Sequence, residues 1–353
     1  MQGQCASRWT RPSLAALAVL SALSGPALAQ VRSVAEIAAY MGEDRQARLL
    51  EGAKKEGSLM LYSSATTQDM NEHIKAFESK YPGVKVKFWR GDSEGILRRA
   101  VTETQGGRND FDIIETSGGT MEASYREGLF EVVNTPALAD ISSKAKFDGG
   151  AWTGTRFQLH VTAYNTKLTR PEDLPKSYAE LAEPRFKGKL GIELDDSEWF
   201  AAVASALGEE KTIAMFKDIV AKNGVSVRKG HTLIANLTAS GEVPIALGIY
   251  QYKVEQMKRA GVPIDWIRMP PYVIHPIGMG FSKKAPHPNA AMLFFDFMLT
   301  DGQKIYVTQD THPTNIKVKP EPLDAVYMDY AKALDAGDKW QKIFKEVFTT
   351  RAR

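Results

Sequence analysis

Tyr250 and Tyr252 stand two positions apart where the apolar run Val243 to Ile249 turns into a helical pattern. A phenol at such a turn either packs with its hydroxyl wetted or presents it to a ligand. His231 follows Gly230 at another helix start, where it caps the helix that Thr232 continues or joins its amino end in attracting an anion. Asp195, Asp196 and Glu198 crowd a third helix start. They either complement its dipole or face a cleft, and there they repel an anion unless a cation comes with it. Glu94 has the same choice between first-turn acid and ligand contact. Ser63, Ser64, Thr66 and Thr67 offer hydroxyls and backbone amides, although Thr66 also caps a helix through Asp69. Trp199 is a cleft wall or a core residue. Gly91-Asp92-Ser93-Glu94-Gly95 fits G-x-S-x-G between a strand and a helix, the context of a secreted serine hydrolase's nucleophile. Only two strands precede Ser93, however, and no His-Gly-Gly oxyanion motif does. His73, His160, His287 and His312 lack zinc-site spacing and read as structural, and His275 falls on an extended crossover, where it is a candidate cleft residue.

The elements that must position these groups are best seen from Ser58 to Ala100. A strand at Leu59–Tyr62 leads through the loop Ser63–Thr67 to an amphipathic helix carrying Met70, Ile74, Phe77 and Tyr81. Tyr81-Pro82-Gly83 stops it, and Val84 to Phe88 changes the period to two, which predicts a second strand. A third copy follows, with a strand at Phe111 to Glu115, a loop Thr116–Thr120 that carries Thr116 and Ser117, and a helix from Met121. Repeated strand-loop-helix units predict a parallel sheet whose ligands gather beyond the carboxyl ends of its strands. The loops Ser63–Thr67, Gly91–Gly95 and Thr116–Thr120 therefore face one cleft. A second block repeats the logic, with loops at 195–198, 228–231 and 249–252 on the opposite wall. One helix is expected from Ser33 to Lys55, a strand at Gln158–Tyr164, an apolar helix at Ala290–Leu299 and a charged one at Tyr327–Phe348. Pro263, Pro270, Pro271 and Pro276 mark extended crossover segments between the two blocks.

The first residues read as a secretory signal peptide: Arg8 and Arg11, an apolar run from Leu14 to Leu23, then Ala27-Leu28-Ala29, with the cut after Ala29. No later stretch reaches a transmembrane length. Cys5, the only cysteine, leaves with the leader, so the mature chain has no disulfide and no thiolate ligand. Losing Arg8 and Arg11 brings the formal charge from +3 to about +1, which argues against a nucleic-acid partner. The roughly 320 residues that remain suit two domains.

The order of elements, with LYSSATTQDMNEHIKAFESKYPGVKV, GEVPIALGIYQYKVEQMKRAG and APHPNAAMLFFDFMLTDGQKI, resembles the extracellular solute-binding proteins of ABC importers, in particular the ferric-iron-binding branch. The resemblance implies a two-lobed α/β fold of the type II periplasmic-binding-protein kind. Each lobe is then a mainly parallel sheet flanked by helices, with a ligand cleft between the lobes. It places lobe 1 at 30–133 and about 265–305, and lobe 2 at 134–264 with helices from 306–353 packed back on it. It further implies a monomer in the periplasm with no catalytic step, closing on its ligand by a hinge and delivering it to an ABC permease in the inner membrane. The family's metal-binding Glu falls on Glu94 and its second Tyr on Tyr252. Its first Tyr falls on Gln251, with Tyr250 adjacent, and its His on Thr66. Carboxylate and phenolate suit hard Fe(III), the implied cargo, possible with a synergistic anion near Asp196 and His231. A small organic or phosphorylated solute is the alternative.

Overall fold

The computed structural model describes residues 33–322 and 325–349, with Met1; the leader and its cleavage site lie outside the described residues. From Ser33 onward the chain forms one compact unit. Ser33 and Glu36 close a capping box on Val34–Ala39 (α1), and Arg45–Glu56 (α2) follows. The single helix expected over 33–55 is thus two, divided at 40–44 around Gly42, a poor helix former. Gly57 ends α2 at φ 74°, a left-handed conformation that glycine adopts without strain.

Ser58–Ser63 (β1), Thr67–Lys80 (α3), Lys85–Arg90 (β2), Ser93–Gln105 (α4), Ile113–Ser117 (β3) and Gly118–Arg126 (α5) are the three repeated units. β1 runs parallel to both β2 and β3. Two of the expected loops are shorter than their sequence suggests. Asp92 accepts a hydrogen bond from the Gly95 amide at 2.6 Å and starts α4 at Ser93, so Glu94 is a helical residue. α5 starts at Gly118, so Thr120 is helical too. Side chains explain the paired glycines there. A Cβ at Gly118 would lie 2.3 Å from the Tyr330 ring, and one at Gly119 would lie 2.2 Å from Glu198 Oε1.

Phe130–Glu131 (β4) and Lys146–Phe147 (β5) lead to Trp152–Asn165 (β6), twice as long as the strand expected at 158–164 and buried along nearly its whole length. A polar run of short 3₁₀ turns follows. Leu190–Glu193 (β7), Ser197–Leu207 (α6), Glu209–Asn223 (α7), Ser226–Arg228 (β8), His231–Ser240 (α8), Ile245–Tyr250 (β9) and Gln251–Arg259 (α9) form the second block, in which β7 is parallel to β8 and β9. Then come Ile264–Ile267 (β10), Tyr272–Ser282 (β11), Pro288–Leu299 (α10), Asp301–Thr308 (α11), His312–Pro313 (β12), Ala325–Tyr327 (β13), Tyr330–Asp335 (α12) and Gly337–Phe348 (α13). The helix expected at 327–348 is therefore a strand end and two helices, broken where Ala336 meets Gly337.

The strand order is β2-β1-β3-β11-β6-β9-β7-β8. Two parallel sheets are thereby joined through antiparallel β11 and β6. Residues 152–159 of β6 pair with β11 and residues 160–164 pair with β9, so the handover between the lobes falls at Leu159 and His160.

Each lobe has its own aromatic core. Phe77 meets Phe294 and Phe297 at 5.1 and 5.5 Å beneath the first sheet. Glu56 accepts from the Asn289 and Ala290 amides at 3.1 and 2.7 Å and so caps α10 from a distant part of the chain. In the second lobe Phe348 lies 5.4 Å from Phe200 and 5.6 Å from Phe216, which seats α13 on α6 and α7.

Candidate functional site

The carboxyl ends of the two parallel sheets meet at a cavity of about 480 Å³. Asp92, Ser93, Glu94, Ser117 and Thr120 line it from the first lobe; Glu193, Asp196, Glu198, Trp199, His231 and Tyr250 line it from the second. His160 and His275, from β6 and β11, complete it, and Gln341, Phe344 and Lys345 of α13 also reach it.

The second wall holds a compact donor set. One ligand atom from each of Glu193, Asp196 and His231 lies within 4.8 Å of the others. Glu193 ends β7 and is held by the Gly230 amide at 2.7 Å and by the Asp195 amide. His231 Nε2 stands 3.3 Å from Asp196 Oδ1. Asp196 fits because Gly248, at φ 70°, has no Cβ; one built there would come within 2.5 Å of Asp196 Oδ2. Asp196 Oδ2 and His231 Nδ1 are buried with no hydrogen-bond partner, a costly state for polar atoms that a bound cation would relieve. Beside them the Tyr250 ring centre is 4.0 Å from that of His231 and 5.1 Å from that of His160.

Burial and crowded negative charge set the proton affinities. Burial, then Asp196, pushes the Glu198 carboxyl up to about 7. Burial also raises Asp196 and Glu193, against the pull of His231. Burial alone would lower His231, but Asp196 and Glu193 outweigh it and hold its pKa above the usual value. Tyr250 is raised well above an ordinary phenol by burial and then by Asp196. His275 is lowered to about 3 by burial, then by His231 and Arg156. A metal cation placed among these acids would neutralise their crowded charge.

The other candidate residues are dispersed. Glu94 sits at the rim, its side chain 76% exposed and paired with Arg98 at 3.2 Å. Tyr252 lines a separate cavity of about 20 Å³ with Thr66 and Arg156. Thr66 caps α3, accepting from the Asp69 amide at 3.1 Å, and Thr67 and Thr232 are exposed. Gln251 is half-buried at the start of α9. Ser63 donates to the buried Glu115, which also pairs with Arg156. Thr116 Oγ1 lies 3.0 Å from the Ser64 hydroxyl and 2.9 Å from the Ser93 hydroxyl, within hydrogen-bond reach of both. Among the described residues the hydrogen-bond partner of the Ser93 hydroxyl is thus another hydroxyl, not the base that a nucleophilic serine needs. Trp199 is 2% exposed and serves as both core and wall.

Glu193, His160 and His275 are the donors that sequence reasoning passed over or set aside. His160 and Glu193 each interrupt an apolar strand, and an ionisable residue inside such a run is a signal in itself, because burial without purpose is costly.

The profile of the bacterial extracellular solute-binding proteins matches residues 63–305. The chain is 23% identical to a Synechocystis protein named iron uptake protein A1, over 77% of this chain and 79% of that one. Iron-bound HitA from Pseudomonas aeruginosa has a similar structure, with TM-score 0.71, 24% identity, and coverage of 82% of this chain and 99% of that one. AfuA from Actinobacillus pleuropneumoniae, solved with fructose-6-phosphate bound, also gives TM-score 0.71, at 22% identity over 83% of this chain and 99% of that one.

Proposed function

Because the chain belongs to the bacterial extracellular solute-binding protein family, we propose that it captures ferric iron between its lobes in the periplasm and delivers it to an ABC permease of the inner membrane. The signal sequence, cut after Ala29, exports it. On this reading lobe 1 extends through residues 152–159 of β6 and lobe 2 begins at about 160, later in the chain than the boundary expected at 133/134; ligand contacts from both hold the closed form. The observation that carries the reading is the Glu193, Asp196 and His231 cluster with its unpartnered buried atoms beside Tyr250. Carboxylates and a phenolate are the donors hard Fe(III) favours. The same acids repel a phosphorylated solute, against the pull of Lys229 and Lys345, which also line the cavity. On this reading Tyr250 is the phenolate ligand and Glu94 guards the rim.

The test is metal analysis of the purified protein with its visible spectrum. Iron loading produces a phenolate-to-metal band that Tyr250→Phe abolishes and Tyr252→Phe keeps. A colourless protein that co-purifies with an organic phosphate overturns the reading.

A further inference from the structure

The carboxylate cluster uses only one of three imidazoles that meet in the cleft. His160 and His275 are 8% and 5% exposed. His160 Nδ1 and His275 Nε2 are buried without a hydrogen-bond partner. Their ring centres are 5.4 Å apart, with the planes at 88°. Two imidazoles that bind one tetrahedral ion at about 2.1 Å put their ring centres roughly 5 Å apart, close to the separation of this pair. Tyr250 stands 5.1 Å from His160 and 6.0 Å from His275, near enough to offer a third donor.

We infer that His160 and His275 form a nitrogen-donor metal position next to the carboxylate cluster, taking a divalent transition ion of intermediate softness such as Zn²⁺, Ni²⁺ or Cu²⁺. It extends the ferric reading by naming a second class of ion for the same cleft. Imidazole suits these ions, whereas the oxygen donors of Glu193 and Asp196 suit Fe(III). The pair sits where β6 passes from one sheet to the other: His160 is paired with Tyr250 across β9, and its neighbour Leu159 with Ile274 across β11.

The experiment uses the whole mature protein stripped of metal by a chelator. Cu²⁺ is added for electron paramagnetic resonance, and Zn²⁺ affinity is measured by competition with a chromophoric chelator. The expected copper spectrum shows coupling to at least two nitrogens. His160→Gln and His275→Asn each weaken Zn²⁺ binding and remove one nitrogen from the spectrum. A wild-type spectrum with one nitrogen or none overturns the inference, and so does Zn²⁺ affinity unchanged in both variants. If the variants do not fold, His231→Gln decides: a two-nitrogen copper spectrum that it leaves unchanged supports the pair, and loss of one nitrogen in it overturns the inference. The ferric reading is judged separately by the visible band of the wild type. Two-nitrogen copper without that band sinks the ferric reading and keeps this one, and the band without zinc or two-nitrogen copper does the reverse.

Discussion

Replacing Glu198 by Gln stabilises the cargo-free protein at pH 8 and leaves it nearly unchanged at pH 4. The Glu198 carboxyl is lifted from 4.5 to about 7 by burial and by Asp196. Below pH 4.5 it is protonated in the folded and unfolded chains alike and contributes nothing. As pH rises from 4.5 to 7 the unfolded chain gives up the proton while the folded chain keeps it, so folding stability falls across that window. The full cost, reached above pH 7, is about 3 kcal/mol at 1.36 kcal/mol per unit. Gln carries no charge, so Glu198→Gln removes this cost at pH 8 and has none to remove at pH 4. Urea unfolding of the chelator-stripped protein at both pH values measures it. With a slope of about 3 kcal/mol/M the midpoint rises by about 1 M at pH 8. An equal shift at both pH values would mean that packing, not charge, is responsible, and a loss of stability at pH 8 would refute the electrostatic account of the cleft.

Loading with Fe(III) weakens as pH falls from 8 to 5, because Tyr250 and His231, both raised, must give up protons to bind; affinity that does not change with pH, in a titration of the visible band, would count against them as ligands. Glu56→Ala uncaps α10 at the Asn289 and Ala290 amides and costs about 1–2 kcal/mol in urea unfolding. Phe348→Ala empties a site 4% exposed among Phe200, Phe216 and Phe344 and costs about 3–5 kcal/mol in the same assay. Loss below 1 kcal/mol would place α13 outside the cooperative core.

The three strand-loop-helix units were legible because their signals are local: Thr66 caps its own helix, Gly57 stops its own helix, and the apolar period changes within a few residues. The acids at 195–198 and the phenol at Tyr250 were legible as strand-end residues for the same reason. What escaped depended on register between distant strands. His160 meets Tyr250 only because β6 pairs with β9, and comes near His275 only because the other half of β6 pairs with β11. Nothing within ten residues of either histidine encodes that. Tyr252 and Glu94 show the converse. Both occupy suggestive positions, but a turn of helix sends Tyr252 to a different cavity and leaves Glu94 in solvent with Arg98.

The unbroken course of β6 through both sheets limits how the molecule can move. A sliding displacement would have to tear hydrogen-bonded ladders on both sides of Leu159 and His160, whereas a twist at that point leaves every ladder whole. Any parting of the halves is thus taken up where β6 passes from one sheet to the other, beside His160.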